Sequence, residues 1–362
     1  MSFKCGIVGL PNVGKSTLFN AISNNDIAEV GNYPFCTIEP NKSTVFVEDK
    51  RLNEISNISN SLRIIPTTIE FVDIAGLVKN ASKGEGLGNG FLSNIREVDA
   101  IIHVIRCFKD DDIIHTSGKV NPVEDLEVIN TELLLKDMEV IENALVKLRK
   151  KPQKEQLGYV NSLEKCLKAV EEGILLNKID INPEDKKPLN SLGLLTLKPM
   201  IFVANVDDKS LEKGENEMTK IISEIVGKDN LIVASSKFEL ELSKIKEESE
   251  KAEIMSIYGV SESALGKIIS AGYNTLDLIS FFTSGVQETR AWTVKKSSKA
   301  PQAAGVIHTD FEKGFIKVEC ISYKDFIECK GEQKAKETGK LRLEGKEYTV
   351  QDGDIMHFKF NV

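Results

Sequence analysis

Residues 9–16 read Gly9-Leu10-Pro11-Asn12-Val13-Gly14-Lys15-Ser16. Ahead of them Phe3 to Leu10 alternates apolar with small residues, as a buried strand does. Behind them Thr17-Leu18-Phe19-Asn20-Ala21-Ile22 spaces its apolar residues helically. Strand, glycine-rich loop and helix in that order form a phosphate-binding loop. Gly9 and Gly14 let the backbone turn its N–H groups toward an anion, and the helix N-terminus that follows adds its positive dipole. Lys15 is then placed to reach the β- and γ-phosphates of a nucleotide, and the Ser16 hydroxyl to coordinate Mg²⁺. By average residue frequencies such a pattern arises by chance in about one chain in a hundred.

A second strand, Thr68 to Val72, ends at Asp73-Ile74-Ala75-Gly76. Alone, this DxxG is a turn. Beside a phosphate-binding loop, the aspartate holds Mg²⁺, usually through water, and the glycine N–H senses the γ-phosphate. Between the two motifs lies Gly31-Asn32-Tyr33-Pro34-Phe35-Cys36-Thr37, whose threonine is either a plain loop residue or a second magnesium hydroxyl. The position that carries a water-orienting glutamine in Ras-like enzymes is Leu77, whose side chain makes no hydrogen bonds, so another group must orient the water.

Base recognition has two candidates. Asn177-Lys178-Ile179-Asp180 is a literal NKxD, but the charged, helically spaced run before it marks a helix end. Asn205-Val206-Asp207-Asp208 follows the compact apolar strand Met200 to Ala204 and is the better site, although it lacks the lysine. A further strand, Leu231 to Ala234, leads to Ser235-Ser236-Lys237, where the last base-contacting loop falls.

The chain has 362 residues, enough for two or three domains. Its composition, 41% hydrophobic and 28% charged, is that of a folded globular protein. The start MSFKCGIVGL has no signal-peptide pattern and no run approaches a membrane span, so a cytoplasmic protein without a membrane partner is expected. Six cysteines without CxxC spacing fit neither a zinc site nor a disulfide framework and read as buried free thiols. A net charge of −8 argues against nonspecific coating of nucleic acid. Local basic patches remain at Lys147, Arg149, Lys150, Lys151 and Lys154, and over Arg290 to Lys299, each either a contact surface or a solvated helix end or loop.

The strings GLPNVGKSTLFNA from residue 9, NYPFCTIEPN from 32, DIAGLVKNASKGEGLGN from 73, IREVDAIIHVIRCF from 95, GKVNP from 118 and KAPQAAGVIHTDFEKGFI from 299 resemble the YchF or Obg-like ATPase family along essentially the whole chain. The resemblance implies an α/β fold: a P-loop, doubly wound, mostly parallel sheet with an inserted helical coiled-coil hairpin and a C-terminal β-grasp-like TGS domain. It implies a nucleotide domain over 1–124 and 199–277, the hairpin over 125–198 and the TGS domain over 278–362. It also implies ATP hydrolysis with ATP favoured over GTP, and association with the ribosome and its RNA as a monomer. Carried over by residue, Asn12, Val13, Gly14, Lys15, Ser16, Thr17, Gly76, Phe108, Asn205, Val206 and Ser235 bind nucleotide; Ser16, Thr37 and Asp73 hold Mg²⁺; Lys15 and His115 are catalytic. Two departures stand out. Asp208 replaces the family's usual glutamate and is the residue type guanine-specific enzymes use, and the glycine-rich switch reads differently at Asn80 and Gly90.

The residues themselves agree with a hairpin. Apolar positions from Leu126 to Leu148 fall at helical intervals, with acids early and Lys147 to Lys151 late, and Pro152 stops the run. A second helical run over Glu155 to Leu176 returns antiparallel. After about Asp277 short strand-like pieces follow at 291–295, 315–321 and 355–360. His115 is either the water-orienting group, for which histidine suits near neutral pH, or an exposed loop residue. Asn12 either binds K⁺ bridging the phosphates or only caps the loop. A GTPase, or a nucleotide-gated ribosome- or RNA-binding module with negligible turnover, stays open beside the ATPase.

Overall fold

Ala100 to Arg106 is buried at all seven positions, and Met200 to Asn205 at all six. Strands covered on both faces read as continuous apolar runs, and parallel packing between helices supplies that cover. The computed structural model describes residues 3–24, 41–74, 89–113, 115, 118–150 and 157–361. Its first half runs β1 (Phe3–Val8), α1 (Lys15–Ser23), β2 (Lys42–Phe46), α2 (Lys50–Ser59), β3 (Ile64–Ile65), β4 (Thr68–Asp73), α3 (Asn89–Glu97), β5 (Ala100–Arg106), α4 (Pro122–Lys150), α5 (Leu157–Glu171) and α6 (Pro183–Ser191). Then come β6 (Met200–Asn205), α7 (Asp208–Lys213), α8 (Glu217–Val226), β7 (Leu231–Ala234) and α9 (Ser236–Leu242). Two further helices, Glu248–Ile257 and Ala264–Thr275, precede the C-terminal strands β8 (Leu278–Ser284), β9 (Thr289–Lys295), β10 (Phe315–Ser322), β11 (Arg342–Glu344) and β12 (Asp354–Phe360).

The chain divides into two compact units. The larger, residues 4–44 and 70–272, holds most of a sheet ordered β2-β4-β1-β5-β6-β7. Parallel ladders join β1 to β5, β5 to β6 and β6 to β7, with Ile7 opposite Ile102 and Ile102 opposite Ile201. Helix α4 opens on Pro122, carries Glu124 and Asp125 in its first turn and closes on Lys147, Arg149 and Lys150, as the helix dipole favours. Its Leu126, Ile129, Leu133, Ile141 and Leu145 pack with Leu163, Cys166 and Val170 of α5 in the same core as the sheet residues Ile101, Ile105 and Phe202. The buried Asp137 of α4 accepts from the backbone N–H groups of Leu195 and Thr196, each at 2.7 Å, fastening the segment that leads into β6.

The second hairpin helix is shorter than its apolar spacing predicts. It stops at Glu171, not Leu176, because Gly173 turns left-handed at φ 77° and a Schellman closure forms: Ile174 N–H donates to Ala169 O and Gly173 N–H to Val170 O. The literal NKxD then lies in a single 3₁₀ turn, Leu176–Lys178, with the Asn177 amide donating to Lys198 O at 3.0 Å, so it marks a chain reversal.

The smaller unit, residues 1–3, 45–69 and 273–362, is built on a sheet ordered β11-β10-β12-β8-β9-β3, mixed in direction. The three predicted strands are present with ragged ends, and β8 and β11 accompany them. Leu52 and Ile55 of α2 share a core with Phe282, Ala291 and Ile355, and Arg51 pairs with Asp352 at 2.6 Å. These contacts bring residues 45–69 into the C-terminal unit.

No helix among the described residues is long and apolar enough to cross a membrane. Cys5, Cys107, Cys166, Cys320 and Cys329 are buried and in no disulfide; Cys36 lies outside the described residues.

Candidate nucleotide-binding site

The phosphate loop leaves β1 at Val8 and enters α1 at Lys15. Gly14, at φ 101°, is the N-cap residue of α1 and supplies no side-chain cap, so the first-turn N–H groups of the helix are left for an anion. A Cβ on Gly14 would run into Asn205 Nδ2, so the closeness of the loop to β6 also requires glycine. Lys15 is 7% exposed, and its ammonium donates back to the Leu10 carbonyl. Burial pushes the Lys15 pKa down to about 8, against the pull of the Asp73 carboxylate. Asp73 ends β4 and is itself 4% exposed. Ser16 is exposed in the first turn of α1. Hydroxyl and carboxylate oxygens are the donors Mg²⁺ takes, so the chemistry of this pair fits that ion.

Asn205 closes the site from the sheet. Its Nδ2 donates to Val13 O at 2.8 Å, and its Oδ1 accepts from the Ser236 N–H at 2.8 Å. One side chain thereby joins the phosphate loop, the end of β6 and the turn after β7. Asp208 Oδ1 accepts from Ser235 Oγ at 3.1 Å, while Ser235 Oγ caps α9 by accepting from the Phe238 N–H in its first turn. The cavity enclosed here has a volume of about 410 Å³, and Asn12, Gly14, Thr17, Phe108, Asn205, Val206 and Ser235 all line it, with Asp208 and Lys237. Val13 is buried beside it. Thr37, Gly76, Leu77 and Asn80 lie outside the described residues.

His115 is not an exposed loop residue. It is 6% exposed, and its Nε2 sits 3.0 Å from Oδ2 of Asp125, which is 3% exposed on the first turn of α4. Burial raises the Asp125 pKa, opposed by the hydrogen bond and charge of His115 and by the charge of Arg106. His115 does not line the cavity.

Two residues of β5, one in its middle and one at its end, are not singled out by the sequence. Arg106 is fully buried, donating to the carbonyls of Phe108, Asp110 and Ile113. His103 is buried against the Phe202 ring, and burial first, then the positive Lys15, pushes its pKa down to about 3. Arg106 lies in the strand VIR and reads as a strand-end charge. Only the three carbonyls after it reveal the role.

A parallel sheet whose first strand ends in this loop, with a buried lysine beside a buried aspartate and an asparagine tying loop to base-side turns, defines a P-loop nucleoside triphosphatase. Residues 4–144 match the family model described as a 50S ribosome-binding GTPase. Residues 278–361 match the YchF-GTPase C-terminal model, described as a protein of unknown function. The chain is 52% identical to the ribosome-binding ATPase YchF of Escherichia coli O157:H7 and 49% identical to that of Bacillus subtilis strain 168, covering all of both chains in each case. The solved structure of the Schizosaccharomyces pombe YchF GTPase matches with a TM-score of 0.89 and 41% identity over 99% of this chain and 98% of that one. The chain belongs to the YchF family.

Proposed function

We propose that this chain hydrolyses ATP to ADP and phosphate and acts as a nucleotide-dependent, ribosome-associated switch in the cytoplasm. The buried Lys15 held over the phosphate loop beside Asp73 carries the first half of the proposal. The second half rests on relatives named ribosome-binding ATPases that match end to end. A polyanion entering the loop meets the open N–H groups of α1 and the Lys15 ammonium, which together neutralise charge developing on the transferred phosphoryl group. Ser16 and Asp73, with Thr37, would hold Mg²⁺, which would supply further neutralisation of phosphate charge. Asn12 is assigned to K⁺, and Gly76 to the γ-phosphate. Phe108, Asn205, Val206 and Ser235 serve the base and Val13 and Thr17 the phosphates. The three-part division, with the hairpin over 125–198 and the TGS domain over 278–362, is retained, as are ribosomal RNA as a contact and a monomeric state.

Water is oriented by His115 in this proposal. The Asp125 carboxylate bonded to its ring fits an orienting partner, in the pattern of a base held by a third group. ATP is favoured over GTP, which binds more weakly.

A second reading, a GTPase, is favoured by one observation: Asp208 lines the cavity, tethered by Ser235, where a carboxylate would accept from the guanine edge. The fission-yeast relative is likewise named a GTPase. Calorimetric titration with ATP and GTP side by side, in Mg²⁺, tests the choice. Tighter ATP binding supports the first reading and tighter GTP binding the second.

A further inference from the structure

The turn after β5, residues 108–113, forms one wall of the cavity through Phe108, Asp110 and Ile113. It has little apolar anchoring of its own: Phe108 is half-buried and residues 109–113 are exposed. Within the turn, the Asp112 N–H donates to Asp110 Oδ1 at 2.9 Å and the Ile113 N–H to Asp110 O at 3.4 Å; what ties it to β5 is the Arg106 side chain. The guanidinium is 0% exposed; Nε donates to Phe108 O at 3.3 Å, Nη1 to Ile113 O at 3.0 Å and Nη2 to Asp110 O at 3.0 Å. The same planar group lies 4.6 Å from the centre of the Phe108 ring. Among the described residues no carboxylate pairs with it within 4.0 Å; Asp125 acts on it only as a nearby charge, so the directional compensation for burying the guanidinium comes from the turn's carbonyls and the ring. A planar fork reaches three divergent carbonyls at once; an ammonium does not.

We propose that Arg106 is a positioning residue for nucleotide affinity, fixing the 108–113 turn and the Phe108 ring as the wall on which the base packs. This rests on the assignment of the cavity to the base. Arg106 touches no phosphate in the proposal, and lysine in its place keeps the positive charge that acts on Asp125, so the effect of Arg106→Lys falls on nucleotide binding and not on the phosphoryl-transfer step.

The test compares wild type, Arg106→Lys, Phe108→Ala and the double variant for binding of ATP and of inorganic tripolyphosphate, with kcat at saturating ATP. Arg106→Gln replaces Arg106→Lys should the latter not fold, read by ATP against tripolyphosphate affinity alone because it also removes the charge acting on Asp125, and thermal melts establish that each variant is folded. In Arg106→Lys, ATP affinity is expected to fall about 10-fold or more, with kcat and tripolyphosphate affinity held within about 2-fold. The double variant should be no weaker than about the worse single variant, since both changes remove one wall. If Phe108→Ala weakens ATP while Arg106→Lys does not, the inference fails and the base assignment survives. If neither weakens ATP, the base assignment itself fails. Equal losses for ATP and tripolyphosphate would overturn the inference in favour of a general effect on the fold.

Discussion

The Asn205 side chain donates to the Val13 carbonyl at 2.8 Å across 192 residues of chain, so that one amide sets the phosphate loop against the sheet. Its oxygen is committed as well, to the Ser236 N–H. Asn205→Ala leaves a buried carbonyl and a buried N–H without their partner, a loss of about 1–3 kcal/mol for such groups. The variant should unfold at lower urea and bind ATP more weakly. An unchanged urea midpoint would show that the tie is not stabilising.

The depressed Lys15 pKa has a consequence for binding. Below about pH 8 the lysine is charged and ready for phosphate; above it the free protein loses that charge, while bound phosphate restores it. ATP affinity should therefore decline as pH rises beyond 8, and binding near pH 8 to 9 should take up a proton. Calorimetry in buffers of different ionisation enthalpy measures that uptake. Proton-neutral binding across this window contradicts the assignment.

His103 predicts an acid limb. Its folded pKa, about 3, lies below its unfolded value near 6.5, so the unfolded chain binds the proton first. Stability is fully present above about pH 6.5 and falls as pH drops toward 3, at about 1.4 kcal/mol per pH unit. Urea titrations at pH 7 and 5 should show a steeper loss in wild type than in His103→Leu. Parallel losses in the two proteins would remove His103 as the cause.

His115→Ala and Asp125→Ala should each lower kcat by about 10-fold or more while largely keeping nucleotide affinity, if the pair orients the attacking water. Single-turnover phosphate release measures it. Full kcat in both variants would make the pair a structural bond between the residue 115 turn and α4.

How much of the fold and site is legible in the sequence depends on how far apart the deciding residues lie. The phosphate loop is eight consecutive residues, and β6 as far as Ala204 and all of β7 are uninterrupted apolar runs, so their physics is local and readable. Asp125 reads as one of two acids favourable to a helix dipole; its bond to His115 exists only in the folded chain and leaves no mark in the sequence. Arg106 is legible as a charge ending β5 and illegible as a buried clamp, because its partners are backbone carbonyls that carry no residue-type signal. The placement of residues 45–69 beside β8 and β9 is a contact of more than 200 positions in sequence, set by Leu52 and Ile55 meeting Phe282 and Ala291. Leu52 and Ile55 would look the same packed against any apolar surface.

The most direct measurement is steady-state phosphate release from ATP in Mg²⁺ by wild type and Lys15→Ala, with and without ribosomes. Wild-type turnover should rise with ribosomes, and Lys15→Ala should show none above background while its melting temperature stays close to that of wild type. Wild-type turnover in a folded Lys15→Ala protein would contradict the assignment of Lys15 to the transferred phosphate.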